Sequence, residues 1–141
     1  MVNLIINGKD VKAREDMMVL EAARTAGFDI PTLCAHESVS RSGACRLCVV
    51  EIKKGNRTRI VTSCLYPVEE GLIVETNTAR VQNVRRLVME LLLSRCPEAD
   101  VLKIWPRKWA LNPSRALSLI RIKANVFCAA PVCAFAKRSS V

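Results

Sequence analysis

The chain has 141 residues, 50% of them hydrophobic, with seven cysteines and a formal net charge of +9. That length holds one domain, or a small domain with an extension. Residues 1–10 lack the basic start and long apolar run of a secretory leader, so a secreted disulfide scaffold is set aside and the cysteines point to metal chemistry.

Residues 2–7 alternate imperfectly between apolar and polar and read as a strand. Gly8-Lys9-Asp10 is a turn signal, and residues 11–14 return as a second strand, giving an opening hairpin. Asp16 is placed to cap a short helix over residues 18–26. Val19, Leu20, Ala23 and Ala26 share one face of that helix, with Glu21 and Arg24 opposite, and Gly27 suits its C-terminal end.

The cysteine segment follows, with the spacing Cys34-x10-Cys45-x2-Cys48-x15-Cys64. Cys45 and Cys48 offer two thiolates from one turn. Between Cys34 and Cys45 lie the small residues Ser38, Ser40, Ser42, Gly43 and Ala44, which let backbone N–H groups come close to sulfur. An iron–sulfur cluster needs such donors, because hydrogen bonds to its sulfurs tune it; a four-cysteine zinc site needs them less, and spacing alone leaves both metals open. A Rieske-type centre uses two histidines, and His36 is the one His of the chain; it reads as a loop residue or a hydrogen-bond partner of a ligand. Arg41 and Arg46 flank the loop as solvated surface, or as charges that tune the site or dock an acidic partner.

Beyond Cys48, residues 49–52 read as a strand, 53–57 as a polar turn, 58–62 as its partner strand leading to Cys64, and 72–75 as a last strand. Strands around one helix, with an irregular cysteine loop, describe an α+β domain of the β-grasp, ferredoxin-like kind. Asn77 or Thr78 is placed to cap a longer helix from residue 79 to about residue 95, with Val81, Val84, Val88 and Leu91 as an apolar stripe widened by Leu87 and Leu92. Cys96, beside Pro97, reads as a small buried apolar residue.

The stretch Ile30-Pro31-Thr32-Leu33-Cys34, with Ser42-Gly43-Ala44-Cys45-Arg46-Leu47-Cys48-Val49-Val50-Glu51, resembles the N-terminal [2Fe–2S] domain of large redox subunits. These are the iron–sulfur subunits of NADH dehydrogenase, hydrogenase diaphorase subunits and NAD-linked formate dehydrogenases. The resemblance runs from residue 1 to about residue 103. It implies that Cys34, Cys45, Cys48 and Cys64 ligate one [2Fe–2S] cluster. The x10 spacing suits this branch better than the Cys-x4-Cys-x2-Cys of plant-type ferredoxins. It further implies a cytoplasmic electron-transfer component, not an enzyme by itself. Its partners would be redox subunits: a flavin- or NAD-linked subunit, a hydrogenase, or another iron–sulfur protein. The rival expectation is a zinc-stabilised interaction module whose basic tail binds an anionic partner.

The expected organisation is a ferredoxin-like domain over 1–78, a helical extension over 79–103 and a poorly ordered basic tail over 104–141. Residues 1–103 hold 15 of the 22 Lys and Arg and all 13 Asp and Glu, whereas the tail holds 7 basic residues and no acid. The tail carries no nucleic-acid motif, so nucleic acid is not an expected partner. Arg121 and Lys123 interrupt its apolar part at about 2.5–3.5 kcal/mol each, so no membrane span is expected. In the resembled subunits the helix leads to a second cluster module with one His and three Cys ligands, which is not seen here. Reading the degenerate codons of residues 125–137 from each third base permits Cys-x2-Cys-x2-Cys-x3-Cys, a [4Fe–4S] ligand run. The tail is therefore expected to be the product of a frame change near Lys103 in a longer redox subunit.

Overall fold

Two tight hairpins and one short strand build the sheet of the computed structural model, which describes residues 1–35, 42–96 and 99. His36, Arg41 and the tail over 104–141, with its out-of-frame reading, lie outside the described residues. The chain divides into two units, Met1–Arg85 and Arg86–Val141.

In the first unit, β1 (Val2–Ile6) pairs antiparallel with β2 (Lys9–Ala13). The turn is Asn7-Gly8, one step earlier than the expected Gly8-Lys9-Asp10. Both residues have positive φ, 49° and 78°. A two-residue turn of this hand matches the twist of the strands it joins, and Asn-Gly tolerates it best. Asn7 also ties this turn to Thr76: its Oδ1 accepts from the Thr76 N–H and its Nδ2 donates to Thr76 Oγ1, both at 2.8 Å.

Helix α1 (Val19–Thr25) is shorter than expected at both ends. Asp16 does not cap it, because Arg14 takes the carboxylate at 2.9 and 2.5 Å. Met18 stands at the N-cap instead, and its N–H donates to Glu21 Oε2 at 2.9 Å. The second hairpin, β3 (Val49–Lys54) and β4 (Arg57–Thr62), turns at Gly55-Asn56, with Gly55 at φ 57°. Each strand is longer than its sequence pattern showed. Its ends, Lys53, Lys54, Arg57 and Thr58, are exposed, so they carry no apolar signal.

Strand β5 (Ile73–Glu75) runs parallel to β1 and antiparallel to β3, giving the order β2-β1-β5-β3-β4. This mixed sheet with its helix is the expected α+β, β-grasp arrangement. Alternate residues of the strands supply the core: Leu4 and Ile6, Val11 and Ala13, Val50 and Ile52, and Val74. Val19, Leu20, Ala22 and Ala23 of α1 join them. Each fully buried Leu, Ile or Val side chain contributes about 1.5–3 kcal/mol, so these residues carry the fold. The β4 edge carries Arg57 and Arg59, both exposed, which discourages pairing with another chain.

Helix α2 (Ala79–Arg95) begins where expected. Thr78 Oγ1 accepts from the Val81 N–H at 3.2 Å and donates to Glu51 Oε2 at 2.8 Å, so the cap is tied to β3. The expected stripe is corrected. Val81, Arg85, Met89 and Leu93 are buried, while Leu87 and Leu91 are exposed. These four positions follow i+4 spacing, and a charged residue in that row hid it from a purely apolar count. Cys96, expected as a small buried residue, is half-buried and not a free thiol.

Candidate metal centre

Cys64 is placed by the start of α1. The first N–H groups of a helix have no partner within it, and here the cysteine segment supplies acceptors. The Val19 N–H donates to Tyr66 O at 2.9 Å and the Leu20 N–H to Ser63 O at 3.0 Å. Met17 O accepts from the Val68 N–H at 3.1 Å, and Met18 forms a bridge with Pro67. Cys64 is 1% exposed as a result.

Cys45 and Cys48 sit in a turn leading directly into β3. Arg46 between them takes φ 56°, rare for a side-chain-bearing residue, while Leu47 is fully buried. This conformation points Arg46 outward, where it is exposed as expected, and the two thiols inward. Cys45 and Cys48 are 3% and 1% exposed, and Cys34 is half-buried.

The four thiols fall into two pairs. Cys34 and Cys45 have their Sγ atoms 3.3 Å apart. The Cys64 thiol is pushed up by burial first and then by Cys48, through hydrogen bonding and charge, while Cys34 and Cys45 act on it through charge alone. Among the described residues no three His, Cys, Asp or Glu side chains converge as a ready site for a single metal ion.

Backbone donors surround the sulfurs as their sequence neighbours require. The Cys45 N–H points at Cys34 Sγ at 3.5 Å. Although burial works against the Cys34 thiolate, hydrogen bonds from the Cys45 backbone and thiol, the Ser42 hydroxyl and the Ala44 N–H bring its thiol below the ordinary range. Burial pushes the Cys45 thiol up, opposed by the N–H groups of Leu47 and Leu33. Gly43 has φ 62°, the left-handed region that favours glycine, and a Cβ there would lie 2.5 Å from Leu65 Cδ1, so the chain passes close to the side chain that follows Cys64.

Two sets of two thiols, fed by N–H donors, are a suitable donor set for a cluster of two irons. The family comparison agrees. Residues 1–79 match the family described as 2Fe-2S iron-sulfur cluster binding domain.

The chain belongs to this family. Its [2Fe–2S] domain is an electron-transfer module related to subunits of NAD(P)-linked oxidoreductases and hydrogenases. It is 40% identical over 104 residues to the NADPH-Fe(3+) oxidoreductase subunit alpha of Geobacter sulfurreducens, covering 71% of this chain and 12% of that protein. It is 41% identical over 103 residues to the NADP-reducing hydrogenase subunit HndD of Solidesulfovibrio fructosivorans, covering 70% of this chain and 17% of that one. The NADH-ubiquinone oxidoreductase 75 kDa subunit of Reclinomonas americana is 37% identical over 104 residues, covering 71% and 15%. Among solved structures, the NAD+-reducing [NiFe]-hydrogenase in the H2-reduced state is similar with a TM-score of 0.70 and 30% identity, over 80% of this chain and 50% of that chain. The chain thus spans only a small part of the curated relatives it matches. Among the described residues no helix is long and apolar enough to cross a membrane.

Two residues that matter here were not singled out from the sequence. Ser63 is wholly buried and donates through Oγ to Cys48 O at 2.7 Å. Arg85 is 5% exposed and donates through Nη2 to Val49 O at 2.6 Å. The available signals were the position of Ser63 beside Cys64 and of Arg85 four residues after the buried Val81.

Proposed function

We propose that Cys34, Cys45, Cys48 and Cys64 together ligate one [2Fe–2S] cluster, Cys34 and Cys45 as one pair and Cys48 and Cys64 as the other. The division of the thiols into two pairs carries this reading. When bound, such a cluster takes up and returns single electrons, at about −400 mV in plant-type ferredoxins. The residues of the chain hold the thiols in place and aim the Cys45 N–H at Cys34 Sγ.

The chain is then an electron-transfer component, not an enzyme in its own right. Its donor or acceptor is a flavin- or NAD(P)-linked subunit, a hydrogenase subunit or another iron–sulfur protein, in the cytoplasm. The relatives support this class of partner, because the three named above are subunits of NADPH-, NADP- and NADH-linked enzymes. Residues 1–78 form the electron-carrying domain and 79–103 its helical extension. The basic tail over 104–141 stands outside the redox unit.

The test is a reductive titration of the anaerobically purified chain, followed by electron paramagnetic resonance. Uptake of about one electron for every two irons, with a matching unpaired spin, is expected for a [2Fe–2S] centre. Full metal occupancy with no electron uptake and no spin would overturn the reading.

A further inference from the structure

Arg85 is a cation where the polypeptide alone offers it little. A guanidinium stays charged under ordinary conditions, yet this one is 5% exposed. Nη2 reaches Val49 O at 2.6 Å, whereas Nε is buried with no hydrogen-bond partner. Met1, Arg14, Lys54 and Arg80 each have a carboxylate partner, and no carboxylate of the described residues forms an ion pair with Arg85.

The magnitudes leave a deficit. An ion buried without a counter-ion costs several kcal/mol, and one hydrogen bond to a charged group returns about 1.5–3 kcal/mol. The carbonyl that Arg85 holds belongs to Val49, bonded directly to Cys48. Burial draws the Arg85 guanidinium down to about 10, and the groups that favour its charged form are Cys48 and Asp29. A four-thiolate iron–sulfur cluster is net negative and gains a further negative charge on reduction.

We infer that Arg85 is the buried counter-charge of the cluster: held against the Cys48–Val49 backbone, it stabilises the more negative, reduced form and so raises the reduction potential. This rests on the four-cysteine reading above. Arg85 is a positioning and tuning residue and does not touch substrate.

The experiment uses the full chain, loaded with iron and sulfide, as wild type, Arg85→Lys, Arg85→Gln and Arg85→Met. Potentials are read by titration against visible absorbance. Gln removes the charge and keeps an amide donor on a shorter side chain. It should lower the potential so that, at a fixed applied potential, the reduced-to-oxidised ratio falls by about tenfold, equivalent to about 59 mV for a one-electron couple. Lys should stay close to wild type. If Met fails to fold or load, Gln decides the matter. A loaded Gln variant with the wild-type potential would overturn the inference, because the positive charge would be gone and the potential unmoved. A wild-type chain without iron and sulfide would instead overturn the cluster reading, so the two failures are distinguishable.

Discussion

The carbonyl oxygen of Cys48 accepts two hydrogen bonds from Ser63, one from its N–H at 3.0 Å and one from its Oγ at 2.7 Å. Ser63 immediately precedes Cys64, and its own carbonyl accepts from the Leu20 N–H at 3.0 Å. One small, fully buried residue therefore joins the Cys48 turn, the Cys64 segment and the start of α1. The spacing between Cys48 and Cys64 is fixed by backbone before any metal enters.

Ser63→Ala removes the Oγ bond and keeps the N–H bond, so the Cys48 carbonyl is not orphaned. The expected loss is about 0.5–1.5 kcal/mol, read by urea unfolding of the metal-free chain. Cluster loss on exposure to chelator should also quicken. Unchanged stability and unchanged chelator kinetics would show that the hydroxyl plays no part.

Gly43→Ala sets two costs against each other. The left-handed φ of 62° costs a side-chain-bearing residue about 1–2 kcal/mol. The clash is with the far end of Leu65, which is 45% exposed and free to turn away. Backbone strain should therefore dominate. Gly43→Ala should lose about 1–2 kcal/mol, and adding Leu65→Ala should recover only a minor share. Full recovery in the double variant, measured by the same unfolding curves, would make the clash the main cost.

The sheet was legible in the sequence because its core residues alternate: Leu4 with Ile6, and Val50 with Ile52. The four cysteines stand out by their spacing, and the domain they sit in was legible from its resemblance to a known one. The strand ends at Lys54 and Arg57 were not, since exposed charged residues carry no periodic signal. Asp16 suits a cap by residue type, but Arg14 two positions away competes for the same carboxylate. Arg85 was not legible either, because a charge in an apolar row breaks the pattern. Only the three-dimensional position of the Val49 carbonyl explains it.

Metal-free stability should depend on pH through Cys64. Burial first, and then Cys48, Cys34 and Cys45, push its thiol up to about 12 from an ordinary value of 9.0. Above pH 9.0 the unfolded chain gives up this proton while the folded chain keeps it. The folded state then binds more protons, so stability falls as pH rises through that window. The Cys64 contribution should lower the unfolding midpoint of the metal-free chain between about pH 9 and pH 12. Above about pH 10 it is opposed by Arg85, whose guanidinium is drawn down by burial. The midpoint of Cys64→Ala should therefore fall less over this window than that of the wild type. A slope identical in that variant would assign the effect to other groups.

Replacing a proposed ligand should differ in kind from replacing Cys96. Cys45→Ser and Cys64→Ser should abolish or badly weaken the visible absorbance of the loaded chain. Cys96→Ser, outside the four-cysteine pattern, should leave that spectrum intact. A normal spectrum in Cys64→Ser would remove Cys64 from the ligand set.

The most direct measurement is the metal and sulfide content of the chain, purified anaerobically after iron-replete expression. One cluster held by Cys34, Cys45, Cys48 and Cys64 requires about two irons and two acid-labile sulfides per chain, with a red-brown colour. Stoichiometric zinc, no sulfide and no visible absorbance would contradict it.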